Sequence, residues 1–193
     1  MRHQNNKEAI LKAGWELFAK QGFAATGVQE IATKSGVPKG SFYNHFDSKE
    51  AFAVEIIRRY ADRLGAFLDE KLLQGEGTPL FRLRQLFDDW TEDDTGIQVD
   101  CGCLVGNLTQ ELANHTPELR LVLQDAFDRL QSRFTACLYE ARGAGEIADG
   151  EDIETLSAFI YNAWQGALVR AKAQQDTVAF KSFLEVVFSR VLS

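Results

Sequence analysis

Residues 26 to 50 read Thr26-Gly-Val-Gln-Glu-Ile-Ala-Thr-Lys-Ser-Gly-Val-Pro-Lys-Gly-Ser-Phe-Tyr-Asn-His-Phe-Asp-Ser-Lys-Glu50. Two short helical patterns separated by a tight turn precede the opening of a third helix. Thr26 with Gln29 three residues on is a capping-box pattern, which predicts a helix from near Val28. Val28, Ile31 and Ala32 fall on one face of it. Ser35-Gly36 ends it, because glycine takes the left-handed conformation that many helix ends require. Pro38 sets the next start, where its missing N–H costs nothing. Phe42 and Phe46 are four apart and share a face. Lys39, Gly40, Ser41, Tyr43, Asn44 and His45 are left for the other faces. Asp47 with Glu50 marks a further start, with Lys49 in its first turn. A short second helix with small polar residues at its start is an element that can enter the DNA major groove.

Outward from this stretch, 193 residues fit one large or two small domains. Apolar residues make up 45% of the chain and only three are proline, which favours a helical protein with a sizeable core. No run of about eighteen apolar residues is present, so no membrane span is expected. The polar start from Met1 to Lys7 shows no secretory signal. Three cysteines, an odd count, argue against a disulfide scaffold and for a reducing, cytoplasmic setting. The formal net charge is −7, but residues 1 to 50 hold seven Lys/Arg against five acids, a balance of +2 that leaves −9 for the rest. Only the N-terminal end is suited to phosphates, and helix N-termini and backbone N–H groups must supplement its few cations.

Helical periodicity predicts nine helices and no strands, an all-α fold. The first spans about 6–21, followed by the short pair. The fourth runs from about 48 to 74, with Phe52, Ile56, Tyr60, Leu64, Phe67 and Leu68 at helical spacing. Gly75 to Pro79 breaks it and Thr78-Pro79 starts the fifth, which carries Leu83, Leu86, Phe87 and Trp90. Thr91 to Asp100 reads as an acidic loop. The sixth covers about 102–113 and the seventh about 117–142. The eighth (about 151–174) and ninth (about 177–192) have broad apolar faces, wide enough for two neighbours each. Those faces fit either a monomer core or an intersubunit contact, for which Ala163, Gly166, Ala167 and Ala171 would allow close approach.

The N-terminal block closely resembles the helix-turn-helix of the TetR family of bacterial transcriptional regulators. The resemblance rests on Gly22-Phe23, Thr26, Ile31-Ala32, Gly36-Val37, Gly40-Ser41-Phe42-Tyr43, His45-Phe46 and Lys49-Glu50, and spans about residues 6 to 56. It implies a two-domain protein: a helix-turn-helix domain over 1–50 and a ligand-sensing and dimerisation domain over 51–193. It implies a homodimer joined through the last two helices, on a palindromic double-stranded DNA operator. By the same resemblance Tyr43 and His45 contact phosphate, Lys49 reaches the DNA backbone, and Lys39, Gly40, Ser41 and Asn44 occupy the positions that reach base edges. Lys39 suits guanine, Asn44 suits adenine or a phosphate, and Gly40 permits close approach. Thr26 can offer its hydroxyl or N–H to phosphate, and Gln29 faces outward from the second helix. Most relatives repress, which makes repression in the bacterial nucleoid the expectation.

Cys101-Gly-Cys103 is the second informative feature. Metal-ligand spacing is missing, and a disulfide across one residue would be strained. Cys103 opens the sixth helix, where the helix dipole favours thiolate. Gly102 to Leu108 followed by Gln110-Glu111 resembles a TetR branch that includes regulators answering to electrophiles and oxidants, in some of which the residue matching Cys103 senses. Against this stands Cys103 as a small buried hydrophobe, with Cys101 as resolving thiol or loop residue and Cys137 as core. The other switch is a reversible apolar or aromatic effector among Trp90, Phe127, Phe134 and Trp164, oriented by Asn107. No cofactor motif, phosphate-binding glycine loop, G-x-S-x-G or H-E-x-x-H is present, and the three histidines lie far apart, so an enzyme is not expected.

Overall fold

The computed structural model describes residues 2–91 and 102–192. These contain nine α-helices and no strand: α1 (Arg2–Gln21), α2 (Val28–Ser35), α3 (Lys39–Tyr43), α4 (Lys49–Leu68), α5 (Pro79–Thr91), α6 (Leu104–Leu112), α7 (Pro117–Gly143), α8 (Ile153–Gln174) and α9 (Val178–Val186). Two of them run on into π-helical turns, α4 over Asp69–Leu73 and α9 over Val187–Val191. The first helix starts four residues earlier than its pattern suggested. The acidic segment 92–101 lies outside the described residues, Cys101 with it. Among the described residues no helix is long and apolar enough to cross a membrane.

The chain divides into two compact units: Met1–Ala61 with Leu104–Ala126, and Asp62–Cys103 with Phe127–Ser193. The 50/51 boundary drawn from the sequence falls within the first turn of α4. In the first unit, α1 packs along α2 and α6. Its core is a chain of rings in which Phe52 touches Phe18, Phe42 and Phe46, with centroids 5.7, 5.1 and 4.8 Å away. Ile10, Leu11, Ile31 and Ile57 close around it. Gly14 is required in α1, because a Cβ there would overlap the Phe52 ring.

The second unit is built on Phe87, Trp90, Phe134, Trp164, Phe180 and Phe183, all buried. Trp90 and Trp164 stack at 5.5 Å and 19°. Polar ties hold its helices: Arg133 of α7 donates to Asp69 in the π-helical turn, and the Thr135 hydroxyl bonds Ser157 at 2.8 Å inside the core. Glu146 caps the first turn of α5, accepting from the Thr78 hydroxyl and the Leu80 N–H. The Cys137 thiol donates to the Pro79 carbonyl at 3.3 Å, and burial pushes its pKa up to about 12. Cys137 is core, as its phase with Phe134 and Leu138 indicated.

Candidate functional site

The turn between α2 and α3 forms as its residues dictate. Gly36 adopts φ +69°, and its N–H with that of Val37 returns to the Thr33 and Ala32 carbonyls. Pro38 precedes α3 with φ −59°, and its carbonyl accepts the Ser41 N–H at 2.8 Å. The helix is only five residues long, too short to stand by its own hydrogen bonds. Phe42 holds it: the side chain is fully buried and touches Phe46 and Phe52.

With that face anchored, Lys39, Gly40, Tyr43 and Asn44 are exposed, and Ser41 and His45 are half-buried beside them. Tyr43 leaves 51% of its surface to solvent, while its ring edge rests on Phe42. Asn44 caps the end of α3. Gly40 is notable for what does not surround it: a Cβ there would meet nothing within 4 Å. Gln29 is exposed on α2, close to Thr33.

Two residues assigned to DNA from the sequence are engaged elsewhere. Thr26 forms no capping box, since the residue before α2 is Gly27 and no side chain caps the helix. Thr26 is 1% exposed, its hydroxyl donates to the Gly22 carbonyl at 2.7 Å, and its N–H to Phe23. A buried hydroxyl must find such a partner, so it ties the preceding loop internally. Lys49 also turns inward. Its ammonium donates to the carbonyls of Phe23 at 2.9 Å and Thr26 at 3.0 Å and lies 4.0 Å from the Phe23 ring centroid. Ser48 rather than Asp47 caps α4, accepting the Ala51 N–H. Two further cations of the N-terminal region are paired with acids, Lys7 with Glu55 and Lys34 with Glu16.

Of the residues assigned to an effector, Cys103, Trp90, Phe127, Phe134 and Trp164 belong to the second unit and Asn107 to the first. The second-unit rings form one continuous path. Phe127 meets Tyr161 at 6.2 Å, Tyr161 meets Phe134 at 5.3 Å, and Phe87 joins Phe134 to Trp90 and Trp164. Cys103 is buried, 8% exposed. Burial holds the Tyr161 phenol protonated well above its ordinary range, and electrostatic coupling to Cys103 adds to that.

A short helix seated by buried rings behind a glycine turn, its opposite edge open, is the reading half of a helix-turn-helix in an otherwise helical chain. The class is a helix-turn-helix DNA-binding protein. Two family models match: "Bacterial regulatory proteins, tetR family" over residues 10–56 and "Tetracyclin repressor-like, C-terminal domain" over 79–187. The chain is 31% identical to the HTH-type transcriptional repressor DhaR of Mycobacterium sp. (strain GP1), covering 96% of this chain and 92% of that one. Among solved structures, the regulatory protein TetR from Rhodobacter sphaeroides matches with TM-score 0.88 and 32% identity over 97% of this chain and 98% of that one. The reduced form of E. coli NemR matches with TM-score 0.86 and 26% identity over 95% and 96%. The chain belongs to the TetR family of DNA-binding transcriptional regulators.

Proposed function

We propose that the protein is a repressor that binds a palindromic operator as a homodimer and lets go when an effector acts on its second unit. In this reading residues 1–50 carry DNA recognition and 51–193 sensing and dimerisation. Lys39, Gly40, Ser41 and Asn44 face the bases, and Tyr43, His45 and Gln29 steady the backbone. The observation that carries it is Gly40. A glycine inside a helix costs about 1 kcal/mol relative to alanine. Nothing in the protein occupies the space its Cβ would fill. The exposed backbone at Gly40 is therefore open to approach from outside, and a DNA groove met at van der Waals distance is a surface that would use it.

Support for the dimer comes from α8 and α9. Phe159, Ala163, Gly166 and Arg170 of α8 line a groove with Val178, Ser182 and Val186 of α9. Phe159, Val178 and Val186 are each about half exposed, at 51%, 56% and 49%. Such a stripe, apolar and shared by two helices, suits a twofold four-helix contact. Ala167 lies at the floor of this groove, whereas Ala171 is fully buried in the monomer core.

The effector acts within the second unit, either as a reversible apolar or aromatic molecule entering the ring path or as an electrophile or oxidant at Cys103. The reduced form in which the E. coli relative is described supports keeping the thiol in the reading. The test is selection of duplexes from a random library with the full-length protein. Binding of the enriched duplex is then followed against salt, and after N-ethylmaleimide, in wild type and Cys103→Ser. A palindromic duplex whose binding weakens with salt is the expected result, and failure to enrich any duplex overturns the proposal. Release by N-ethylmaleimide in wild type alone assigns the switch to Cys103, and retention in both assigns it to a reversible ligand.

A further inference from the structure

The loop between α1 and α2 is gripped from two sides by charges far away in sequence. Its conformation starts at Gly22, with φ +80° and its N–H closing α1 on the Phe18 carbonyl. The next two N–H groups, of Phe23 and Ala24, both donate to the carboxylate of Glu111 in α6, at 3.1 and 2.7 Å. A Cβ on residue 22 would overlap that same carboxylate. The Phe23 and Thr26 carbonyls receive the Lys49 ammonium of α4. One peptide segment thus lies between an anion that takes its N–H groups and a cation that takes its carbonyls, and each bond polarises the other. His115, one turn beyond Glu111, sets its ring edge against Phe23 at 5.9 Å and 81°.

We propose, on the DNA-binding reading above, that Glu111 is a positioning residue for operator recognition: by holding the Phe23 and Ala24 N–H groups it fixes the loop from which α2 starts, and with it the angle at which α2 and α3 meet DNA. Val28 begins α2 directly after this loop. The apolar packing of the unit has a centre of its own, because Phe42, Phe46 and Phe52 are buried against one another, and the clamped loop joins it through the Phe23 ring on Phe18 at 5.6 Å. Loss of the carboxylate therefore frees the loop without dissolving the core. A loop shift of an ångström is enough to spoil base-edge hydrogen bonds, whose geometry is strict.

The full-length protein with Glu111→Gln separates this from a field effect and from general stability. Removing a negative charge from a DNA-binding unit strengthens phosphate attraction, so a pure field effect tightens binding. Positioning requires the reverse. The expected result is operator affinity at least tenfold weaker, with an unchanged salt slope. Amide exchange should quicken at Phe23 and Ala24 and stay at wild-type rates in the middle of α1. Glu118→Gln, an exposed acid of the same unit, should bind as wild type or more tightly. Wild-type or tighter binding by Glu111→Gln overturns the proposal. So does weaker binding with faster exchange throughout α1, which would mark general loosening. If wild type enriches no duplex, the DNA-binding reading itself has failed, a result no behaviour of the variants can mimic.

Discussion

Gly40→Ala adds one methyl to the second residue of α3, and the structure predicts opposite effects on stability and on DNA binding. Beyond its chain neighbours and its own helix backbone nothing lies within 4 Å of the new Cβ, and the backbone is helical, so no internal clash arises. Alanine removes the extra chain entropy that glycine loses on folding, a gain of about 0.5–1 kcal/mol. For a chain of this size that raises the midpoint of thermal unfolding by about 1–4 °C. In the proposed operator complex the methyl would project into the closest approach of helix and groove. A separation increased by even part of a methyl weakens several neighbouring hydrogen bonds together, and a loss of at least tenfold, about 1.4 kcal/mol, is expected. The assay pairs differential scanning calorimetry with fluorescence anisotropy on the enriched duplex, and nonspecific DNA serves as control. Nonspecific affinity should stay level, since no cation is touched. Undiminished operator affinity would refute the reasoning, as would a lowered melting point.

Four further outcomes follow from named contacts. Gly14→Ala should lower stability by about 1–3 kcal/mol despite its better helix propensity, because the new Cβ overlaps a Phe52 ring wedged among three others; a melting point at or above wild type would contradict this packing. Val186→Glu places a charge on the groove between α8 and α9, and light scattering should show monomer where wild type, on the proposed contact, shows dimer, with the helical circular dichroism retained. The Cys137 thiol binds its proton more tightly folded than unfolded, so stability should fall as pH rises from about 9 toward 12; urea melts of Cys137→Ala should lose part of that slope, whatever the variant's own cost. Lys12, Lys20 and Lys39 are exposed, whereas Lys7, Lys34 and Lys49 are engaged within the protein. Three such exposed cations per head would give a dimer a log-affinity against log-salt slope of about −5, and a slope beyond about −10 would show phosphate contacts of another origin.

Local chemistry was legible in the chain before any coordinates. Gly36 and Pro38 mark helix ends through bonds that reach at most a few residues, and the helices begin and stop close to where those residues stand. The Phe42 and Phe46 pair fixed which edge of α3 would be open, since helical spacing alone puts both rings on one side. Tertiary structure decided whatever depended on residues distant in sequence. Lys49 stands in the first turn of α4 and reads as a backbone cation, yet the carbonyls it meets belong to a loop 23 and 26 residues away. Thr26 and Gln29 have capping-box spacing, but burial of the threonine hydroxyl sends it to Gly22. Glu111 stands in the chain only as part of the Gln110-Glu111 pair of a family-like segment, and its hold on the α1–α2 loop is not legible there, because its partners lie 87 and 88 residues away and no periodicity signals them. The α8–α9 stripe behaves likewise: spacing shows a face too wide for one neighbour, and only packing shows that Ala171 is covered while Phe159 and Val186 are not. Turns and caps are settled by bonds within a few residues, whereas the partners of a charge and the covering of a face are settled by which helices the fold brings together.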